Sequence, residues 1–249
     1  ARAAIDAGIV GAFSYPCTPA TEIFEYIEEY AGRAGPAARI SALWSANEKV
    51  AYEEALGMSY AGRRALVSMK HVGLNVAADP FMNVAVSGTH GGLVVVVADD
   101  PSMHSSQNEQ DSRYFADFAQ VPCFEPADQQ QAYQFTRDAF ELSEKLRVPV
   151  VLRLVTRLAH SRALVELAAR RPQNETRYVE DAGLYTLIPS NARRAYAGLV
   201  EKQQGLQQYA MEHRANTLTL RGQGKPGILV SGVAYNYLAE ALGPKLGDY

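Results

Sequence analysis

Between residues 44 and 113 the chain concentrates side chains able to bind ligands or move protons. Three stretches carry them: Trp44-Ser-Ala-Asn-Glu48-Lys-Val50, then Ser68-Met-Lys70-His71-Val-Gly73-Leu-Asn75, then Asp99-Asp100-Pro-Ser-Met-His104-Ser-Ser-Gln107-Asn-Glu109-Gln-Asp111-Ser-Arg113. Each begins where an apolar run ends. Polar groups gathered at strand ends, rather than spread over solvated faces, point to a site mounted on a rigid sheet. Glu48 opens a helical pattern, where a carboxylate is favoured by the helix dipole. That alone would account for it as a first-turn charge. The small apolar Val50, Ala51 and Ala55 that follow would also desolvate it, which suits a buried carboxylate bonded to a protonatable ring nitrogen. His71 is able to move protons near neutrality and stands beside Lys70, Gly73 and Asn75. A histidine after a strand is equally at home as a structural or surface residue. His104 through Asp111, with Gln107 between them, offers a row of donors and acceptors fit for a ligand or an interface, or for plain solvation.

These groups need elements to hold them. Ala1 to Ala7 reads as the end of a helix, and Gly8 to Tyr15 as a strand closed by Pro16-Cys17-Thr18-Pro19. Thr18 then offers a hydroxyl at the edge where open α/β sheets bind ligands. Alternatively the segment is a plain turn with Thr21 capping a helix through Glu29. A strand from Arg39 to Trp44 leads into a helix over Asn47 to Tyr60. Ala65 to Met69 is a strand, and Leu74 to Gly88 a helix with Pro80 near its start, where the lost amide costs least. Leu93 to Ala98 is apolar without alternation, the mark of a strand buried on both faces. A helix over Asp128 to Lys145 and a buried strand over Val148 to Val155 follow. Alternating strands and helices predict an α/β fold, a parallel sheet with helices on both faces. We place the first domain at 1–170 and a connecting helical region at 171–226, with helices over Ser190 to Tyr209 and near Met211. A second α/β domain would start at 227–249, with a strand over Gly227 to Gly232 and a helix from Tyr235 to Leu242.

Composition narrows the classes. The chain has 249 residues, 47% apolar, with a formal net charge of −3. Neither nucleic acid nor a membrane surface is suggested. The longest apolar run, Gly91 to Ala98, is too short to span a bilayer. Cys17 and Cys123 lack CxxC partners, so a disulfide framework or cysteine-rich metal site is not expected and a reducing cytoplasm is the simplest setting. No phosphate-loop, HExxH or GxSxG motif occurs, which removes motif support for hydrolases and dinucleotide enzymes.

The motifs also carry a resemblance. Tyr15-Pro-Cys-Thr-Pro19, Trp44 to Val50, Met69-Lys-His-Val-Gly-Leu-Asn-Val-Ala-Ala-Asp-Pro80 and Asp99 to Asp111 resemble the thiamine-diphosphate-dependent 2-oxoacid:ferredoxin oxidoreductases, especially the alpha subunit of the indolepyruvate type. Arg153 to Arg162 and Gly227 to Tyr237 also fit, so the resemblance covers the whole chain. It implies that residues 1–170 form a pyrimidine-binding domain and that 227–249 begin a transketolase C-terminal-like domain. Glu48 would match the glutamate that hydrogen-bonds the cofactor's aminopyrimidine ring and promotes its ionisation. Thr18 would lie near the substrate carboxylate, with Lys70, His71, Asn75, His104 and Gln107 on the substrate and cofactor side. The implied reaction is oxidative decarboxylation of an aryl 2-oxoacid to acyl-coenzyme A, with electrons passed to ferredoxin.

The departures are also informative. Cys17 stands where members of the family commonly have Gly, so a side chain enters the turn or the substrate pocket. No Gly-Asp-Gly segment followed by a Mg-binding Asn is present, and no CxxCxxC cluster motif. Mg2+ and [4Fe-4S] clusters are therefore expected from parts outside this chain. We read the chain as a fragment, inactive alone, of a homo- or hetero-oligomer with a second oxidoreductase subunit. Two other readings stay open: a non-oxidative thiamine-diphosphate-dependent 2-oxoacid decarboxylase or synthase, and a non-catalytic scaffold subunit.

Overall fold

The computed structural model describes residues 1–220 and 227–248; residues 221–226, the end of the predicted connecting region, and residue 249 lie outside the described residues. Helix α1 (Arg2–Asp6) leads to strand β1 (Gly11–Ser14), helix α2 (Thr21–Ala34), a 3-10 turn (Gly35–Ala38) and β2 (Ser41–Trp44). Then come α3 (Glu48–Tyr60), β3 (Ala65–Lys70), α4 (His71–Val76), α5 (Ala78–Ser87) and β4 (Leu93–Asp99). The first unit ends with α6 (Arg113–Ala119), β5 (Cys123–Phe124), α7 (Gln129–Leu146), β6 (Val150–Val155) and the short α8 (Thr156–Ala159).

The six strands form one sheet in the order β2-β1-β3-β4-β6-β5, and every neighbouring pair is parallel. Successive residues of a strand point to opposite faces, and both faces here are covered. Leu66, Val94, Val96 and Leu152 pack with α1, α2 and α7 through Ile5, Phe24 and Phe140. Val67, Leu93, Val95 and Val97 pack on the other face with α3, α5 and α6 through Tyr52, Phe81 and Ala116. Every residue of β4 is therefore buried, which is why its sequence shows no alternation. Since each buried aliphatic or aromatic side chain contributes roughly 1.5–3 kcal/mol, this central strand anchors both layers.

β1 continues through α2 to β2 on one side, whereas β3 continues through α4 and α5 to β4 on the other. The connections thus diverge between β1 and β3. In parallel sheets that divergence opens a crevice beyond the carboxyl ends of the two strands. The end of β3 and the residues just after β1 and β3 supply Cys17, Thr18, Lys70 and His71.

The opposite edge of the sheet is sealed by residues 171–177. The Gln173 amide donates to the carbonyls of Ile9, Ala38 and Arg39 at 2.8, 3.1 and 3.1 Å. Asn174 donates to the Gly62 carbonyl and to Glu144, which also pairs with Arg64. Gly8, with φ of +79°, lets this strap lie close: a Cβ there would sit 2.6 Å from the Pro172 carbonyl oxygen.

Several expectations are corrected. The helix expected from Leu74 begins at His71 and divides at Ala77, placing Pro80 in the first turn of α5. Thr21 does not cap α2; its hydroxyl instead accepts the Cys17 backbone N–H at 2.9 Å, bracing the turn. The two helices expected over 190–211 are one, α9 (Pro189–Glu212), which lies along α5 and buries Leu199 and Leu206. Nothing in the sequence between Tyr209 and Met211 breaks a helix. The expected strand over Gly227 to Gly232 does not form, because no strand lies beside it and Leu229 is fully exposed; α10 (Ala234–Leu242) and a 3-10 turn (Gly243–Asp248) follow. Among the described residues no helix is long and apolar enough to cross a membrane.

The strap makes a testable claim. Gln173→Ala leaves three carbonyls to find water and should cost about 1–3 kcal/mol, read as a lower urea midpoint with unchanged slope. An unchanged midpoint would show that the strap merely rests on the sheet.

Candidate functional site

Glu48 is the first residue of α3, and the helix starts there because Asn47 caps it, its side-chain oxygen accepting the Val50 N–H at 3.0 Å. Glu48 as a whole is buried, 7% exposed. Among the described residues no side chain or backbone N–H donates to its carboxylate, whose oxygens keep some contact with solvent, so an uncommitted acceptor stands at the helix start. Gly73 of α4 lies against it. A Cβ at Gly73 would be 2.7 Å from Glu48 Oε1.

The turn after β1 closes the other side. Cys17 is half-buried and Thr18 exposed, and the Thr18–Pro19 peptide is cis. Burial pushes the Cys17 thiol above its ordinary pKa; the nearby Lys70 charge opposes this and the Glu48 charge adds to it. Cys17 therefore lies near both Lys70 and Glu48. Ser14 and Ser68, on neighbouring strands, hydrogen-bond at the base of the crevice at 3.2 Å.

Lys70 and His71 are both buried, and both spend a polar atom on the loop after β4. Lys70 Nζ donates to the Ser105 carbonyl at 3.1 Å, and His71 Nε2 lies 3.1 Å from the Asn108 carbonyl oxygen. Facing an acceptor, Nε2 must carry the proton, which leaves Nδ1 buried and without a partner. Asn75 is exposed on α4, and His104 and Gln107 are exposed on the loop. The structure thus joins Glu48, Lys70, Cys17 and the start of α4 around the crevice. It sets His104 on the rim of a separate cleft of about 720 Å³ that Arg113, Arg157 and Tyr237 also line.

The residues that shape this loop are ones sequence reasoning left without a role. Asp100 is buried and accepts from Ser105 N–H at 2.8 Å and from the hydroxyls of Ser106 and Thr156, each at 2.6 Å. Burial by itself would raise its pKa, but these hydrogen bonds outweigh it and hold the carboxyl far below its usual range. Asp99, fully buried, accepts from Ser112 N–H at 3.0 Å and from Arg153 Nε at 2.6 Å. Arg153 also pairs with Glu125, which accepts from Ser231 at 2.6 Å. The one available signal was an acidic pair directly after a fully apolar run. Among the described residues no three His, Cys, Asp or Glu side chains gather as a metal site.

Comparison with known proteins accords with this arrangement. The family described as pyruvate flavodoxin/ferredoxin oxidoreductase, thiamine diphosphate-binding, matches residues 2–219. The chain belongs to this family. Curated relatives include indolepyruvate oxidoreductase subunit IorA of Archaeoglobus fulgidus, 42% identical over 245 residues, and that of Methanothermobacter marburgensis, 43% identical over 243 residues. Each comparison covers 97% of this chain and 39% of the relative, so the chain spans about two fifths of their length. The IorA of Thermococcus kodakarensis is 40% identical over 248 residues. A solved 2-oxoglutarate:ferredoxin oxidoreductase from Magnetococcus marinus, with 2-oxoglutarate, coenzyme A and succinyl-CoA bound, aligns with a TM-score of 0.66. It is 16% identical, over 99% of this chain and 50% of that one, and so shows a shared fold. Within this thiamine-diphosphate-binding family, a buried glutamate whose carboxylate has no protein donor fits a cofactor whose aminopyrimidine ring supplies N–H groups.

Asp100 gives a pH-dependent prediction. Its folded pKa is depressed, so its contribution is present above the unfolded value of about 3.9 and is lost as pH falls through the lower folded value. Asp100→Asn, which cannot ionise, should cost about 1–3 kcal/mol at pH 7, with the gap to wild type narrowing below about pH 4. Urea midpoints at pH 7 and pH 3 decide it, and an equal gap at both would remove the ionised Asp100 from the account.

Proposed function

We propose that this chain supplies the pyrimidine-binding side of a thiamine-diphosphate-dependent 2-oxoacid:ferredoxin oxidoreductase acting on arylpyruvates of the indolepyruvate type. The observation that carries the reading is the unpartnered carboxylate of the buried Glu48 at the divergence of the sheet. The name shared by the relatives supports the arylpyruvate substrate, and the ligands of the Magnetococcus enzyme support coenzyme A as acyl acceptor.

When bound, thiamine diphosphate supplies a carbon nucleophile and an electron sink for the 2-oxoacid. Glu48 would accept a hydrogen bond from its aminopyrimidine ring and so fix the ring's orientation and protonation. The low exposure of Glu48 strengthens that bond, because little water competes for the carboxylate. Thr18 offers a hydroxyl toward the substrate carboxylate from the turn after β1. Lys70 brings a positive charge to the crevice and, with His71, holds the loop over 104–111. Asn75, His104 and Gln107 would contribute polar contacts on the substrate side.

The remaining assignments belong to the same reading. Residues 1–170 form the pyrimidine-binding domain, 171–226 connect, and 227–249 begin a transketolase C-terminal-like domain. Residues 227–232 would then become a strand only by pairing with other parts of the assembled enzyme. Mg2+, the [4Fe-4S] clusters and the diphosphate site would come from other parts or another subunit of a cytoplasmic oligomer that passes electrons to ferredoxin. The chain would be inactive by itself.

The test uses the full-length protein with its partner subunit, without oxygen, with thiamine diphosphate, magnesium and viologen. Viologen reduction should require both an arylpyruvate and coenzyme A. Glu48→Gln should lower it about 10²- to 10⁴-fold while circular dichroism stays native. Carbon dioxide release without viologen reduction would instead indicate a non-oxidative enzyme, and no turnover at all a scaffold. Full activity in the variant would refute the role given to Glu48.

A further inference from the structure

Gly73 occupies a helical position that has no conformational need for glycine. It lies within α4, outside the left-handed region, where glycine costs about 0.5–1 kcal/mol relative to alanine. The other helical glycines, Gly32, Gly57, Gly198 and Gly205, have open space where a Cβ would go. At Gly73 the three nearest atoms a Cβ would meet all belong to Glu48: Oε1 at 2.7 Å, Cγ at 2.8 Å and Cδ at 3.0 Å. Carbon atoms in comfortable contact stay about 3.5–4.0 Å apart. A methyl group at this position would therefore push the Glu48 side chain from its place.

The consequence falls on position rather than on folding. At Gly8 and Gly91 a Cβ would strike backbone, which cannot yield cheaply. At Gly73 it would strike a side chain whose own backbone is fixed by the Asn47 cap but whose torsions are free to turn. The carboxylate would move and the fold would survive.

We propose that Gly73 is a positioning residue, whose missing side chain leaves the slot that holds the Glu48 carboxylate in register with the cofactor ring. The proposal rests on the reading of Glu48 above. Cys17 supplies a reporter independent of the cofactor, because its thiol feels the Glu48 charge. Removing that charge with Glu48→Gln should make Cys17 alkylate faster at a given pH.

The experiment compares wild type, Gly73→Ala, Glu48→Gln, Glu48→Asp and the Gly73→Ala/Glu48→Asp pair in the full-length protein with its partner subunit. Thermal midpoints, steady-state rates, thiamine diphosphate affinity and the pH profile of Cys17 alkylation, resolved by peptide mass spectrometry, are read for each. Gly73→Ala should keep its thermal midpoint within a few degrees. It should lose about 10- to 100-fold in kcat with little change in substrate KM, and shift the Cys17 profile. The double variant should be less impaired than the two single effects multiplied, because Asp is one methylene shorter and vacates the contested space. Should Gly73→Ala fail to fold, recovery of folding in the double variant would support the same clash, and failure of both would overturn it. A Gly73→Ala protein with wild-type turnover and an unmoved Cys17 profile would also overturn it, leaving the Glu48 reading intact if Glu48→Gln is inactive. If Glu48→Gln stays active, the Glu48 reading falls, and the Cys17 profile alone decides whether Gly73 sets the carboxylate's place.

Discussion

The sheet is dry on both faces, and that constraint organises the rest of the molecule. With apolar layers above and below β3 and β4, a polar side chain within a strand must find a buried partner, as Ser68 does in Ser14 and Arg153 in Asp99. Most polar groups therefore gather toward the strand ends. Because all six strands are parallel, their carboxyl ends share one edge. The turn after β1, the start of α3, the start of α4 and the loop after β4 therefore meet without being close in sequence.

At that edge the buried charges divide into committed and uncommitted groups. Asp99 and Asp100 are saturated by Ser112, Arg153, Ser105, Ser106 and Thr156, and they act as fixed posts for the intervening loop. Lys70 and His71 tie the middle of the loop back to β3 and α4. Glu48 has no such obligation. Under the proposed function, a framework in which the neighbouring acids are satisfied and one is not would direct a ligand's donors to a single place.

Much of this was legible from residue types. The branched run of β4 announced a two-faced strand, and the alternation of elements announced the parallel sheet that family membership and fold both show. The ending of apolar runs in polar clusters located the working edge. The remainder depended on pairing in space. β5 is only two residues long and exists because β6 lies beside it. Gly227 to Gly232 has the composition of a strand and forms none, since a strand requires a neighbour. Thr21 had the chemistry of a cap, but the carboxyl end of β1 delivers the Cys17 amide to its hydroxyl first. That Lys70 and His71, expected on the substrate side, each also bond a loop carbonyl depended on a loop more than thirty residues away. That Gly73 abuts Glu48, 25 residues away in sequence, could not be read from spacing at all.

The strap over residues 171–177 lies at the amino ends of the strands, opposite all of these groups. Its bonds to Ile9, Ala38 and Arg39 join the entries of two strands without touching their exits. Robustness and chemistry are thus entrusted to different ends of the same sheet. Variation in the strap tunes how much damage the domain tolerates, and variation in the exit loops tunes what it recognises. A lineage is free to alter either property while leaving the other undisturbed.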